Sequence, residues 1–168
     1  MKKLLLIFLP ILLISCGSTS STTEKKLSKK TLKGTWEVTA IRFVGEKGLY
    51  KANMFDFADS PCFKGSSWVF IPNNGSGKFT TNTSPSQCDG SGSRIHWSFF
   101  EPGDGSYDFQ FKYVNEKNKP IDAANSGYRS KIDNLTETEM TMKVNVTYEG
   151  NPFDVIMTFS KTSDDITL

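Results

Sequence analysis

The stretch Met140-Thr141-Met142-Lys143-Val144-Asn145-Val146-Thr147-Tyr148 alternates one apolar and one polar residue over nine positions. A period of two is the pattern of a strand with one dry face and one wet face, whereas a helix would place its apolar residues three and four apart. Outward from this segment the same alternation recurs in Tyr107, Phe109, Phe111 and Tyr113, in Ile95, Trp97 and Phe99, and in Phe153, Val155, Met157 and Phe159. Strands are expected at about 33–44, 66–72, 77–82, 93–100, 106–114, 127–135, 139–149 and 152–161. Their connections are short and turn-like: Asn74-Gly75, Pro102-Gly103-Asp104-Gly105 and Glu149-Gly150-Asn151-Pro152. Short connections favour antiparallel neighbours, so the expected fold is all-β, an eight-stranded antiparallel up-and-down barrel. A sandwich is the structural competitor.

Two connections are longer. Residues 115–126 are polar, and residues 45–65 carry Tyr50, Met54, Phe55 and Phe57 around an expected short helix. An apolar first connection in such a barrel lies across one mouth, so 50–59 reads as a lid or plug.

The chain has 168 residues, 37% hydrophobic and 12% aromatic, which fits one globular core. Its formal charge is only +2, and Lys2 and Lys3 supply that excess. The remaining chain is neutral and lacks the electrostatic footprint of phosphate-backbone binding, so nucleic acid is not an expected partner. Lys2-Lys3 precedes the apolar run Leu4 to Ile14, too short for the ~20 residues of a membrane span and matching a signal-peptide core. Leu13-Ile14-Ser15-Cys16 resembles the bacterial lipoprotein lipobox, which implies cleavage after 1–15 and acylation of Cys16 with palmitate-type chains. Acyl chains contribute about 0.8 kcal/mol per buried methylene, so several together anchor a protein durably. Residues 16–31 then form a lipidated, Ser/Thr/Lys-rich tether and 32–168 the barrel domain. Gly17 after the Cys implies, by analogy with lipoprotein sorting, an outer-membrane, periplasm-facing location.

Gly34-Thr35-Trp36 at the start of the first strand resembles the lipocalin Gly-x-Trp signature. Together with Leu32-Lys33, the Cys pair and Asn134-Leu135-Thr136, it resembles the lipocalin-like lipoproteins of Bacteroidetes, over Leu32 to Lys161. An indole at that position closes the tapered end of a barrel with a large apolar group. The sequence departs from lipocalins in having only Thr162 to Leu168 after the last strand, with no long C-terminal helix, and no evident Arg there to lie over Trp36.

Cys62 and Cys88 form an even pair in an exported chain and are expected to be disulfide-bonded. Each lies thirteen residues from Gly75, so extending the second hairpin brings them nearly opposite, given a bulge or a longer turn. A metal site is not expected, since His96 is the sole imidazole and no Cys-x-x-Cys occurs. His96 has the opposite parity to Trp97 and is read as outward, without a nucleophile and carboxylate to make it catalytic. No Walker A, Rossmann or EF-hand pattern occurs, so no cofactor and no enzymatic activity are expected. Two functions remain. In one, Trp36, Val38, Trp68, Phe70, Trp97, Phe99, Phe109, Phe111, Met142 and Val144 line a cavity for a small apolar or amphipathic ligand, covered by Met54, Phe55 and Phe57. In the other, the same bulk fills the barrel, and the protein is an envelope scaffold or interaction partner.

Overall fold

The computed structural model describes residues 27–45, 51–84 and 86–168. The expected signal peptide, Cys16 and Tyr50 lie outside the described residues. Eight strands close into one antiparallel barrel in sequence order: β1 (Gly34–Val44), β4 (Ser67–Ile71), β5 (Ser76–Thr80), β6 (Gly92–Phe100), β7 (Tyr107–Val114), β8 (Tyr128–Leu135), β9 (Glu139–Tyr148) and β10 (Asn151–Ser163). Closure is made by β1, which pairs Gly34–Glu37 with Phe70–Ser67 of β4 on one side and runs along β10 on the other. The sandwich is thereby excluded. The described residues after β10, 164–168, are not helical.

The alternation places the core. In β9, Met140, Met142, Val144 and Val146 are buried while Tyr148, past the rim, is exposed. β1 keeps the alternation only by bulging: register shifts fall between Thr35 and Trp36 and between Val38 and Ala40, so the inward set is Trp36 and Val38, then Ile41 and Phe43. A bulge adds one residue and sharpens the local twist that closure requires.

The first connection differs from the expected short helix. It forms a two-stranded hairpin, β2 (Asn53–Met54) with β3 (Ala58–Asp59), followed by a 3₁₀ turn at Ser60–Phe63. Phe57 N–H donates to Met54 O at 3.1 Å, and the two central residues Phe55 and Asp56 have φ of 58° and 50°. With Met54 paired to Ala58, three residues make the loop, and its two positive φ values are of the kind that hairpin turns usually give to Asn-Gly or Asp-Gly. Phe-Asp carries no such signal.

The Cys62–Cys88 disulfide is formed, with a Cα–Cα distance of 5.5 Å. Extension of the β4–β5 ladder is not what brings the sulfurs together. The β4–β5 turn spans four residues, since Ile71 pairs with Ser76, and continuing that register would set Cys62 opposite residue 85. Instead the 3₁₀ turn carries Cys62 over the barrel end, where Asn82 N–H donates to Cys62 O at 2.9 Å, and the chain doubles back to Cys88 before β6.

Candidate functional site

The barrel has two unlike ends. β1 starts, and β10 ends, at the closed end, together with the β4–β5, β6–β7 and β8–β9 turns. The β1–β4 connection, with its hairpin, lies across the other.

At the closed end Trp36 is fully buried and its Nε1–H donates to Leu32 O at 2.9 Å. Gly34 has φ +126°, and a Cβ there would stand 2.5 Å from Ser163 O, so strand closure itself demands glycine. The sequence offers no evident Arg after the last strand to lie over Trp36. The structure supplies a lysine instead: Lys161, opposite Trp36 across the β1–β10 register, holds Nζ 5.4 Å from the indole centroid and pairs with Asp164 at 3.1 Å. Such a cation–π contact contributes about 0.5–2 kcal/mol depending on desolvation.

Above it, the interior is a continuous aromatic column. Trp97 stacks on Phe109 at 5.8 Å, Phe70 meets both edge-on at 5.6 Å, and Trp68 stacks on Phe79 at 4.6 Å and meets Phe111 at 6.2 Å. All three indoles satisfy their N–H groups within the protein, Trp68 on Ser66 Oγ and Trp97 on Ser76 O. Among the residues read as inward, Trp36, Val38, Trp68, Phe70, Trp97, Phe109, Phe111, Met142 and Val144 are buried together in one cluster, and Phe99 is only half-buried at its edge. His96 is exposed on the outer face.

The hairpin completes the column from the mouth. Met54 and Phe55 are buried, and the Phe55 ring sits among Phe63, Trp68, Phe111 and Tyr128 at centroid distances of 5.7, 6.4, 5.1 and 6.0 Å. Phe57 is half-buried and packs on Phe79 at 4.7 Å. Two tyrosines, which the sequence reading left out, hold this turn. Tyr113 Oη donates to Phe55 O at 2.7 Å and Tyr128 Oη to Asp56 Oδ2 at 3.2 Å. Tyr113 alternates with Phe109 and Phe111 along β7, which marks it as inward, whereas Tyr128 stands in no such run. Only the hairpin's position shows what their hydroxyls do. Burial, then the neighbouring Tyr128 and Asp56, pushes the Tyr113 phenol well above its ordinary range, so it stays a donor. Ser130, of the same inward parity as Tyr128, is buried with a hydroxyl that has no hydrogen-bond partner.

Beside the turn, a cleft of about 390 Å³ opens between Phe55 and Asp56 and the β8–β9 rim at Tyr128, Val144 and Val146. Among the described residues, no three of His, Cys, Asp and Glu come together as a metal-binding group.

No family model matches the chain, and no curated protein does. Among solved structures it is similar to bovine odorant-binding protein in complex with a selenium-containing odorant, at 17% identity and a TM-score of 0.41, covering 82% of this chain and 74% of that chain. The same protein with its natural ligand aligns at 17% identity and 0.41, over 82% and 75%. Its complex with undecanal aligns at 18% identity and 0.39, over 78% and 71%.

Proposed function

We propose that this chain is a lipocalin-like lipoprotein of the outer membrane, anchored through Cys16 and facing the periplasm, whose barrel takes a small apolar or amphipathic ligand at the mouth. The observation that carries this reading is the Phe55 turn. It sits where a ligand would, and it pairs with no barrel strand, so it can leave without breaking a ladder. Its Phe55 is held in a left-handed conformation that costs such a residue about 1–2 kcal/mol, while the neighbouring Asp56 tolerates it better. The turn also describes the ligand it gives way to. An aromatic or branched apolar group replaces the Phe55 ring, and a carbonyl or hydroxyl oxygen replaces Phe55 O as the acceptor for Tyr113.

A second reading has its own observation. The column from Trp36 to Phe55 is filled by the protein's side chains, and the clefts at the β8–β9 rim and on the wall do not reach between Trp97, Phe70 and Phe109. On that reading the barrel is a scaffold or an interaction partner. Calorimetric titration of the full chain with aromatic ketones, fatty acids and sterols separates the two. Saturable heat for an aromatic ketone, with quenching of tryptophan emission, supports the carrier. Flat traces across the panel and no lipid in native mass spectra leave the scaffold.

A further inference from the structure

The outer wall of the barrel carries a groove that the reading above does not use. β7 runs on to Val114, but β8 begins only at Tyr128, opposite Phe111. Lys112, which pairs with His96 of β6, therefore has no strand neighbour on its β8 side, and a cleft of about 360 Å³ opens there. His96, Ser98, Gln110, Lys112 and Arg129 line it around Gly127.

Their chemistry is one-sided. Lys112 gives one donor to Asn125 Oδ1 at 2.9 Å and keeps two. Arg129 is braced from behind: Asp108 Oδ2 lies 3.5 Å from Nη1, and the Phe100 ring 5.2 Å from the guanidinium carbon. With the Gln110 amide turned so that its oxygen accepts from Arg129 Nη2 at 2.8 Å and Nε at 3.1 Å, its NH₂ group remains as a further donor. Ser98 and His96 add a hydroxyl and an imidazole. Among the described residues, no carboxylate lines the cleft. Asp108 pairs with Arg129 and lines a separate cleft with Ser130 and Lys143, and Asp122 accepts the Ser126 N–H at 3.0 and 3.1 Å. A held guanidinium, a lysine and neutral donors converging without an acid match the charge and hydrogen-bond demand of an oxyanion.

Gly127 keeps the space open. Its φ lies outside the left-handed region, and a Cβ there would meet nothing nearer than Phe111 O at 3.7 Å. Neither backbone conformation nor packing requires glycine, while any large side chain would occupy the cleft. We propose that this groove is an oxyanion-binding site, which takes the phosphoryl or carboxylate group of a small ligand.

The test is an amide NMR titration of the full chain, in a maltoside detergent, with inorganic phosphate and with acetate. Saturable shifts in the millimolar range, confined to His96, Ser98, Gln110, Lys112 and Arg129 and their neighbours, are expected. Lys112→Gln should weaken binding about fivefold, the loss of one exposed charge-assisted contact. Gly127→Trp and Lys112→Glu should abolish it, one by filling the groove and the other by reversing its charge. The second variant decides the matter if the first does not fold. Absence of saturable shifts, or shifts that survive Lys112→Glu, would overturn the proposal. Glycerol phosphate compared with dihexanoyl phosphatidylglycerol tells a soluble phosphate ester from a lipid headgroup, and tighter binding of either supports the site while assigning its source.

Discussion

Replacing Phe55 by glycine should harm the protein less than replacing it by alanine, although glycine is the smaller residue. Both changes remove a buried ring from contact with Phe63, Trp68, Phe111 and Tyr128, and a Phe→Ala truncation in a core costs about 3–5 kcal/mol. Elsewhere glycine would add a penalty of about 0.5–1 kcal/mol relative to alanine. At φ 58° the sign reverses, because the Cβ of alanine keeps the left-handed penalty that glycine does not have. The expected order is therefore wild type, then Phe55→Gly, then Phe55→Ala, with about 1 kcal/mol between the two variants. Because the hairpin pairs only with itself, the loss is capped by the free energy that seats it in the mouth. Beyond that cap the turn lifts away and the barrel stays folded. Urea unfolding followed by tryptophan emission measures the order, and binding of acetophenone measures the opened cage. Tighter binding by the glycine variant than by wild type is expected. If alanine proves the more stable replacement, or both variants match wild type, the turn does not carry the load assigned to it.

Removing the disulfide with Cys62→Ser and Cys88→Ser should cost about 3.5 kcal/mol by loop-closure entropy, for a sequence separation of 26. Unfolding of wild type with and without reductant, beside the double variant, checks it. Tyr113→Phe should cost about 1 kcal/mol at neutral pH through the lost bond to Phe55 O. The folded phenol is held protonated while the unfolded one ionises near pH 10, so stability is full below about pH 10 and falls above it. Tyr113→Phe should flatten that alkaline decline in a pH series of urea midpoints. Gly34→Ala should be among the most damaging single-methyl additions, since its Cβ would meet Ser163 O at 2.5 Å, and lowered yield and thermal midpoint would register it. Lys161→Met, which keeps the stem but removes the charge over Trp36, should cost about 0.5–1 kcal/mol in urea unfolding.

What could be read from the sequence follows from the range of each signal. Period-two alternation is local, so all eight barrel strands were legible, and the inward parity of Trp68, Trp97, Phe109 and Met142 came with them. The bulges in β1 are not local, because they answer to the shape of the closed sheet. Lys161 meets Trp36 only through that shifted register, so no spacing in the sequence points to it. The plug was visible as apolar residues in a loop, but not as a hairpin, since Phe55-Asp56 holds a left-handed turn without the residues that normally announce one. The groove at Gly127 arises because β7 outruns β8, and strand ends are where patterns fade first.

The direction of the barrel relative to its N-terminus bears on where a ligand would come from. The chain enters at the closed end: Leu32 O caps Trp36, and Lys29 Nζ lies 5.9 Å from the centroid of Trp97. The Phe55 plug belongs to the connection at the opposite end, and the Gly127 groove lies on the wall below that rim. With Cys16 acylated as proposed, the anchor joins the chain on the side of the closed end, opposite the mouth. That arrangement favours arrival of a ligand from the aqueous phase over lateral transfer from lipid. That route favours a compact molecule with an acceptor oxygen, soluble enough to diffuse, over a long-chain lipid. On the proposed anchoring, a partner that loads or unloads the mouth approaches across the rim where Tyr128 Oη donates to Asp56 Oδ2, at the end opposite Trp36.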